Sequence, residues 1–263
     1  MSDAQYRLLG PHDPAPVERL RPKGQSPFVL TCEHAGKVFP KRLDQLGLTV
    51  PDLERHITYD IGAEGVALGI SERLDAPLIL QRYSRLVVDC NRAPHADDFI
   101  IERSETTPIP GNYDVSEMEA TARAKEIFDP YHDTIRELLD EREAAQKKTI
   151  LVSVHTCTPV YHGVSRPWHI GVMYDKDDRF ARIVLGLLQE HGELTVGENE
   201  PYELTHERDY TVPVHGELRN LPHVEFEVRQ DLVTTEAGQI EWSDRLADVL
   251  REGLGRLREN GHL

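Results

Sequence analysis

The chain is short of positive charge: 30 lysines and arginines stand against 46 aspartates and glutamates, a formal net charge of -16. That balance argues against nonspecific binding to nucleic acid or to an anionic membrane surface. It has no apolar run near the roughly 20 residues that span a bilayer, so no membrane-crossing helix is expected. Residues 1–21 hold no apolar core of the kind a secretory signal carries. Cysteine is scarce, with Cys32, Cys90 and Cys157 the only three. An odd number without framework spacing fits reduced thiols in a cytoplasmic protein. Internal repeats and low-complexity segments are absent.

In their place stand apolar runs that end in chemically competent residues. Phe28–Cys32 leads into Glu33, His34, Ala35 and Gly36. Leu86, Val87 and Val88 lead into Asp89, Cys90, Asn91 and Arg92, and the run at 150–154 leads into His155, Thr156 and Cys157. The run at 224–229 carries Glu225 and Glu227 inside itself. Ligands of open α/β sheets sit at the carboxyl ends of strands. Two histidines, an Asn-Arg pair and a glutamate delivered there suggest a metal-assisted hydrolase with an anion-holding arginine.

With 263 residues, one large α/β domain is expected over 27–263, behind a loose, proline-containing leader over 1–26. Strands are expected at 27–33, 77–81, 85–89, 149–154, 169–173 and 223–228. Helices are expected from Pro51, over 61–74 with Asp60 as N-cap, over 179–191 and over 243–257. Another runs over 116–146, opened by the capping box Ser116–Glu119 and broken or kinked at Pro130. Residues 93–112 read as a long polar loop and 198–221 as irregular. Strands alternating with helices predict a mostly parallel sheet between two helical layers.

His34 and His155 occupy the same position after two separate strands, which makes them candidate metal ligands. Glu33 and Asp60 compete for the third ligand position; alternation along the strand points Glu33 away from His34. Arg92, with Asn91, is a candidate bidentate holder of a carboxylate, and an internal ion pair with Asp89 is its plainer role. Arg85 and Arg229 are further candidate anion clamps. Glu227, between Phe226 and Val228, is expected to be buried with a raised pKa, suited to accept a proton and return it. Glu225 shares its face, so pattern alone leaves the two open.

Six segments in order carry a resemblance: Cys-Glu-His-Ala-Gly (32–36), Tyr-Asp-Ile-Gly-Ala (59–63), Ser-Arg-Leu-Val-Val-Asp-Cys-Asn-Arg (84–92), Ser-Val-His-Thr (153–156), Asn-Glu-Pro-Tyr (199–202) and Phe-Glu-Val-Arg-Gln-Asp-Leu (226–232). Together they resemble the N-formylglutamate amidohydrolase family, itself similar to the zinc carboxypeptidases and to the aspartoacylase and succinylglutamate desuccinylase group. The resemblance implies a three-layer α/β sandwich with a mixed, eight-stranded sheet, and a place in amino-acid catabolism such as histidine degradation. It also implies one zinc ion on His34, His155 and a carboxylate, a substrate grip from Asn91 and Arg92, and Glu227 as the general base. The related carboxypeptidase pattern His-x-x-Glu is broken, because Lys37 stands three positions after His34; Asp60 is therefore the expected third ligand. The implied substrate is a small N-acyl amino acid such as N-formylglutamate. A carboxypeptidase-like peptidase, a hydrolase using Cys32 or Cys157, and a non-catalytic binding protein are the alternatives.

Overall fold

The computed structural model describes residues 6–190 and 192–263. Its strands are β1 (Val17–Leu20), β2 (Phe28–Cys32), β3 (Leu78–Gln81), β4 (Arg103–Ser104), β5 (Thr107–Pro108), β6 (Ile150–Cys157), β7 (Val160–Tyr161), β8 (Val164–Ser165), β9 (Ile170–Met173), β10 (Val196–Glu198) and β11 (His223–Arg229). Its helices are α1 (Val50–Leu53), α2 (Ala63–Leu74), α3 (Glu117–Arg123), α4 (Asp129–Ala144), α5 (Ala181–Glu190) and α6 (Glu236–Glu259). Seven strands form one mixed sheet in the order β1-β3-β2-β6-β11-β9-β10. Strands β3, β2, β6 and β11 run parallel, while β1 and the β9-β10 pair run against their neighbours.

Alternation along the strands divides the side chains between two cores. Phe28, Leu30 and Cys32 of β2, Val152 and Val154 of β6, and Val224 and Phe226 of β11 pack against α2, α5 and α6. Val29, Ile79 and Leu151 point the other way, onto α4 and the buried turn at 84–90. The result is the expected three-layer α/β sandwich. On this second face the apolar residues give way to Ser153, His155, Glu225 and Glu227 towards the carboxyl ends of β6 and β11, all buried. Glu225 pairs in register with Ser153 and Glu227 with His155. The sheet therefore buries apolar side chains on both faces and its chemistry at the strand ends of one.

Several expectations need correction. The leader is not loose throughout: Val17–Leu20 forms an edge strand, with Val17 opposite Gln81. Residues 1–5 of that leader lie outside the described residues, as does position 191 at the end of the expected helix. Leu86, Val87 and Val88 are fully or almost fully buried but form a turn rather than a strand, with the Val87 amide donating to the Ser84 carbonyl. The edge of β3 on which another strand could pair is already taken by β1. The implied eighth strand is accordingly missing among the described residues. Ser116 caps α3 as expected, accepting from the Glu119 amide. Pro130 does not break the long helix, because a π-type turn at 124–128 passes the chain on into α4. The N-cap of α2 is Gly62, not Asp60; its φ of +83° is one that glycine adopts without strain. That turn leaves the Asp60 carboxylate free for another purpose.

Candidate active site

His34 lies one turn beyond β2. A Cβ at Gly36 would sit 2.0 Å from the Arg82 carbonyl carbon, so only glycine lets the chain pass there. The His34 carbonyl accepts from the Asp60 amide, which draws the segment before α2 onto the end of β2. His155 projects from β6. The three expected ligands meet: His155 Nδ1 lies 2.9 Å from Asp60 Oδ2 and 3.1 Å from His34 Nδ1, and His34 Nδ1 lies 3.4 Å from Asp60 Oδ2. All three side chains are buried. A tetrahedral zinc ion with bonds of about 2.0–2.1 Å needs donors roughly 3.3 Å apart. The donor set and its spacing therefore fit such an ion.

The far nitrogens of both imidazoles are also attended. Asp89 Oδ1 lies 2.7 Å from His34 Nε2. Glu33 Oε2 lies 2.9 Å from His155 Nε2, off the line of its N–H. The carboxylate bonded to His34 fixes which nitrogen faces a metal and makes it a better donor, and Glu33 supplies negative charge behind His155. Glu33 is thus behind His155 rather than among the three converging donors. Ser153 and Tyr131 hydroxyls donate to Glu33 and keep it there. Arg85 is not free to clamp an anion: it spans Asp60 Oδ1 at 3.2 Å and Asp89 Oδ2 at 2.8 Å.

The electrostatics follow from burial and crowding. Burial pushes Asp60 and Asp89 up, but His34 and His155 outweigh it at Asp60, and Arg85 and His34 outweigh it at Asp89, so both are held well below the usual carboxylate range. Burial pushes His155 down, but Glu225, Asp60 and Glu33 outweigh it, so its proton is held well above the ordinary histidine range. A cation at Nδ1 would replace that proton with a charge the same carboxylates favour. Burial pushes Glu227 up to about 7, against the charge on His155, and Glu225 up to about 8. Each has one buried oxygen without a hydrogen-bond partner.

All of these groups except Glu33 line one pocket, whose rim comes from the 93–112 loop, Tyr161 and the segment carrying Tyr202, Glu203 and Leu204. Asn91 and Arg92 line it as well. The Asn91 side-chain carbonyl accepts from the Thr211 amide. Arg92 pairs with Asp98 at 3.0 Å and Asp209 at 2.7 Å, not with Asp89. Among the described residues its Nη2 has no hydrogen-bond partner. Arg229 is not a pocket residue: its guanidinium is taken by Asp231 and by the carbonyls of 166–168. The three cysteines are buried, and burial raises every thiol, which removes the thiolate that a cysteine hydrolase needs.

Sequence reasoning missed Asp89 as the brace of His34, although it stands two residues before Asn91 at the end of a buried run. It also missed Arg166, buried between the rings of Tyr161 and Tyr202 at 4.7 Å from each. An arginine in a polar hairpin gives no pattern that separates it from a surface cation.

The chain is a hydrolase of the kind that acts on amide bonds. More narrowly, the chain belongs to the N-formylglutamate amidohydrolase family, whose model matches residues 26–234. No curated protein matches it. It is similar to the structure of gene product Atu2144 from Agrobacterium tumefaciens, at 35% identity and a TM-score of 0.92 over 96% of this chain and 100% of that one. An N-formylglutamate amidohydrolase from Ralstonia eutropha JMP134 shares the fold at 17% identity and a TM-score of 0.64, over 91% of this chain and 99% of that one. Among the described residues, no helix is long and apolar enough to cross a membrane.

Proposed function

We propose that this chain is a zinc-dependent amidohydrolase that cleaves a small N-acyl amino acid, with N-formylglutamate as the favoured substrate. The products are the free amino acid and the carboxylate, here glutamate and formate. The observation that carries this reading is the convergence of His34, Asp60 and His155, each imidazole braced from behind by a carboxylate. Zinc held by these three would polarise the amide carbonyl and acidify an attacking water. The remaining work falls to the chain. Glu227, beside His155 in register, accepts the proton of the attacking water and returns it to the departing amine. A carboxyl poised near neutrality suits both transfers. Asn91 and the open edge of Arg92 hold the substrate carboxylate. Arg85 acts through Asp60 and Asp89, keeping both charged and in place. Buried, unpaired thiols suit a reducing compartment, and the cytoplasm is the location we assign.

The test is zinc analysis of the purified protein, followed by product release from N-formyl, N-acetyl and N-succinyl amino acids. Zinc that His34→Ala removes, together with formate release from N-formylglutamate, is the expected result. Chelator-resistant turnover overturns the metal part. Release from none of the three acyl classes overturns the substrate part.

A further inference from the structure

A second histidine–carboxylate cluster lies outside the pocket. We propose that Asp175, His206 and Glu217 form a separate site for a divalent cation of the zinc class, which pins the 199–211 segment beside the pocket. One donor atom from each of the three lies within 4.8 Å of the others, and all three are partly buried. Asp175 follows β9, His206 comes from the segment after β10, and Glu217 ends the turn before β11. Asp175 Oδ2 lies 2.5 Å from His206 Nδ1, and Glu217 Oε2 lies 3.9 Å from His206 Nε2. Glu217 is itself anchored, since its Oε1 accepts the amides of Lys176 and Asp177 at 2.7 and 3.1 Å. Histidine with two carboxylates is a zinc-type donor set.

His223 supplies an independent observation, an unpartnered buried nitrogen beside Glu217. It is fully buried. Its Nδ1 lies 2.9 Å from the Leu221 carbonyl, which can only accept, so Nδ1 carries the hydrogen. The other nitrogen, Nε2, has no hydrogen-bond partner and lies 3.6 Å from Glu217 Oε1. A cation on Glu217 would offset the negative charge that this unpartnered nitrogen faces.

Position gives the site its consequence. Tyr202, Glu203 and Leu204 before His206 line the pocket, and so do Arg208 and Asp209 after it, whereas Asp175, His206, Glu217 and His223 do not. Asp209 holds Arg92, and Arg208 shares Asp98 with Arg92. An ion on His206 thus fixes the middle of a segment whose two flanks shape the pocket.

This inference stands apart from the hydrolase reading, and the experiment separates the two. The full chain is stripped with a chelator, titrated with zinc ion alone and dialysed for metal analysis. The parent is expected to hold two ions per chain. His206→Ala and Asp175→Asn should each hold one fewer, and His34→Ala should lose the other. In the His34→Ala protein, zinc should slow proteolytic cutting within 199–211, and adding His206→Ala should abolish that protection. Asp175→Asn, which changes one atom, serves if His206→Ala does not fold. An equal zinc count in the parent and both variants of this cluster overturns the proposal. So does an absence of zinc protection in the His34→Ala protein.

Discussion

His34, Asp60 and His155 are buried at the ends of a sheet, whereas Asp175, His206 and Glu217 are only partly buried and hang from three loops. In the first cluster each imidazole has a carboxylate close behind it, from Asp89 or Glu33. In the second, one imidazole meets two carboxylates, and its neighbour His223 faces an acceptor. A strand-end site is oriented before any ion arrives, because packing fixes the rotamers. A loop site would gain its order from an ion. On the readings proposed above, the same residue types serve different ends: chemistry where geometry is fixed in advance, closure where it is not.

The comparison breaks first at Glu227. Glu227→Gln should lower turnover by at least about 100-fold, the usual scale for a general base, while zinc content at both clusters stays as in the parent. Unchanged turnover would pass the role to Glu225; lost zinc would make Glu227 a structural acid. Next comes the brace. Asp89→Asn should weaken zinc binding at the His34 cluster by roughly 10–100-fold and leave the His206 cluster alone. Equal zinc affinity in a competition assay with a chelating dye would show that the brace does not matter.

A smaller effect is expected at Arg92, whose charge Asp98 and Asp209 already offset in part. Arg92→Lys keeps that charge but loses the fork. The ratio of kcat/KM for N-formylglutamate to that for its diamide should fall by about tenfold, in line with one charge-assisted hydrogen bond. A ratio that does not move makes Arg92 a purely structural partner of the two aspartates.

The smallest effect is a pH dependence of the zinc-free protein. Glu225 and Glu227, raised to about 8 and about 7, keep protons in the folded state that the unfolded chain releases near about pH 4.3. His155, raised as well, keeps its proton past the unfolded value of about 6.5. The folded state therefore binds more protons between about pH 6.5 and 8, and stability falls as pH rises through that window. The buried His132 and His215 are lowered and act below it, with the opposite sign. A Tm several degrees lower at pH 8 than at 6.5 is expected without zinc, as about 1 kcal/mol shifts Tm by a few degrees in a chain of this size. Added zinc should flatten the slope; a slope of the other sign would place the titrating groups elsewhere.

The strand-end cluster was the readable one. Short apolar runs revealed β2, β6 and β11, and the period of two put Glu225 and Glu227 on one face with His155. Local pattern carries such information because strand and side chain are continuous. The turn at 84–90 was misread as a strand because its composition is that of a strand. Only β1, some sixty residues earlier, decides that no sheet edge is open to it. Arg229 likewise looked like a clamp until the carbonyls of 166–168 claimed it. Asp175, His206 and Glu217 carry no shared period at all. They meet because three loops close on one another, and nothing within any of those loops announces the other two.

Arg85 touches both a proposed ligand, Asp60, and the brace of another, Asp89. The surroundings of the proposed ion are for that reason a single circuit rather than a set of exchangeable parts. Anyone wishing to retune the preferred metal by replacing Asp60 with histidine would leave a partly buried guanidinium short of one counter-charge. The remaining pull would fall on Asp89, and through it on the orientation of His34. A workable redesign would begin at position 85 and move outwards, with the ligand changed last.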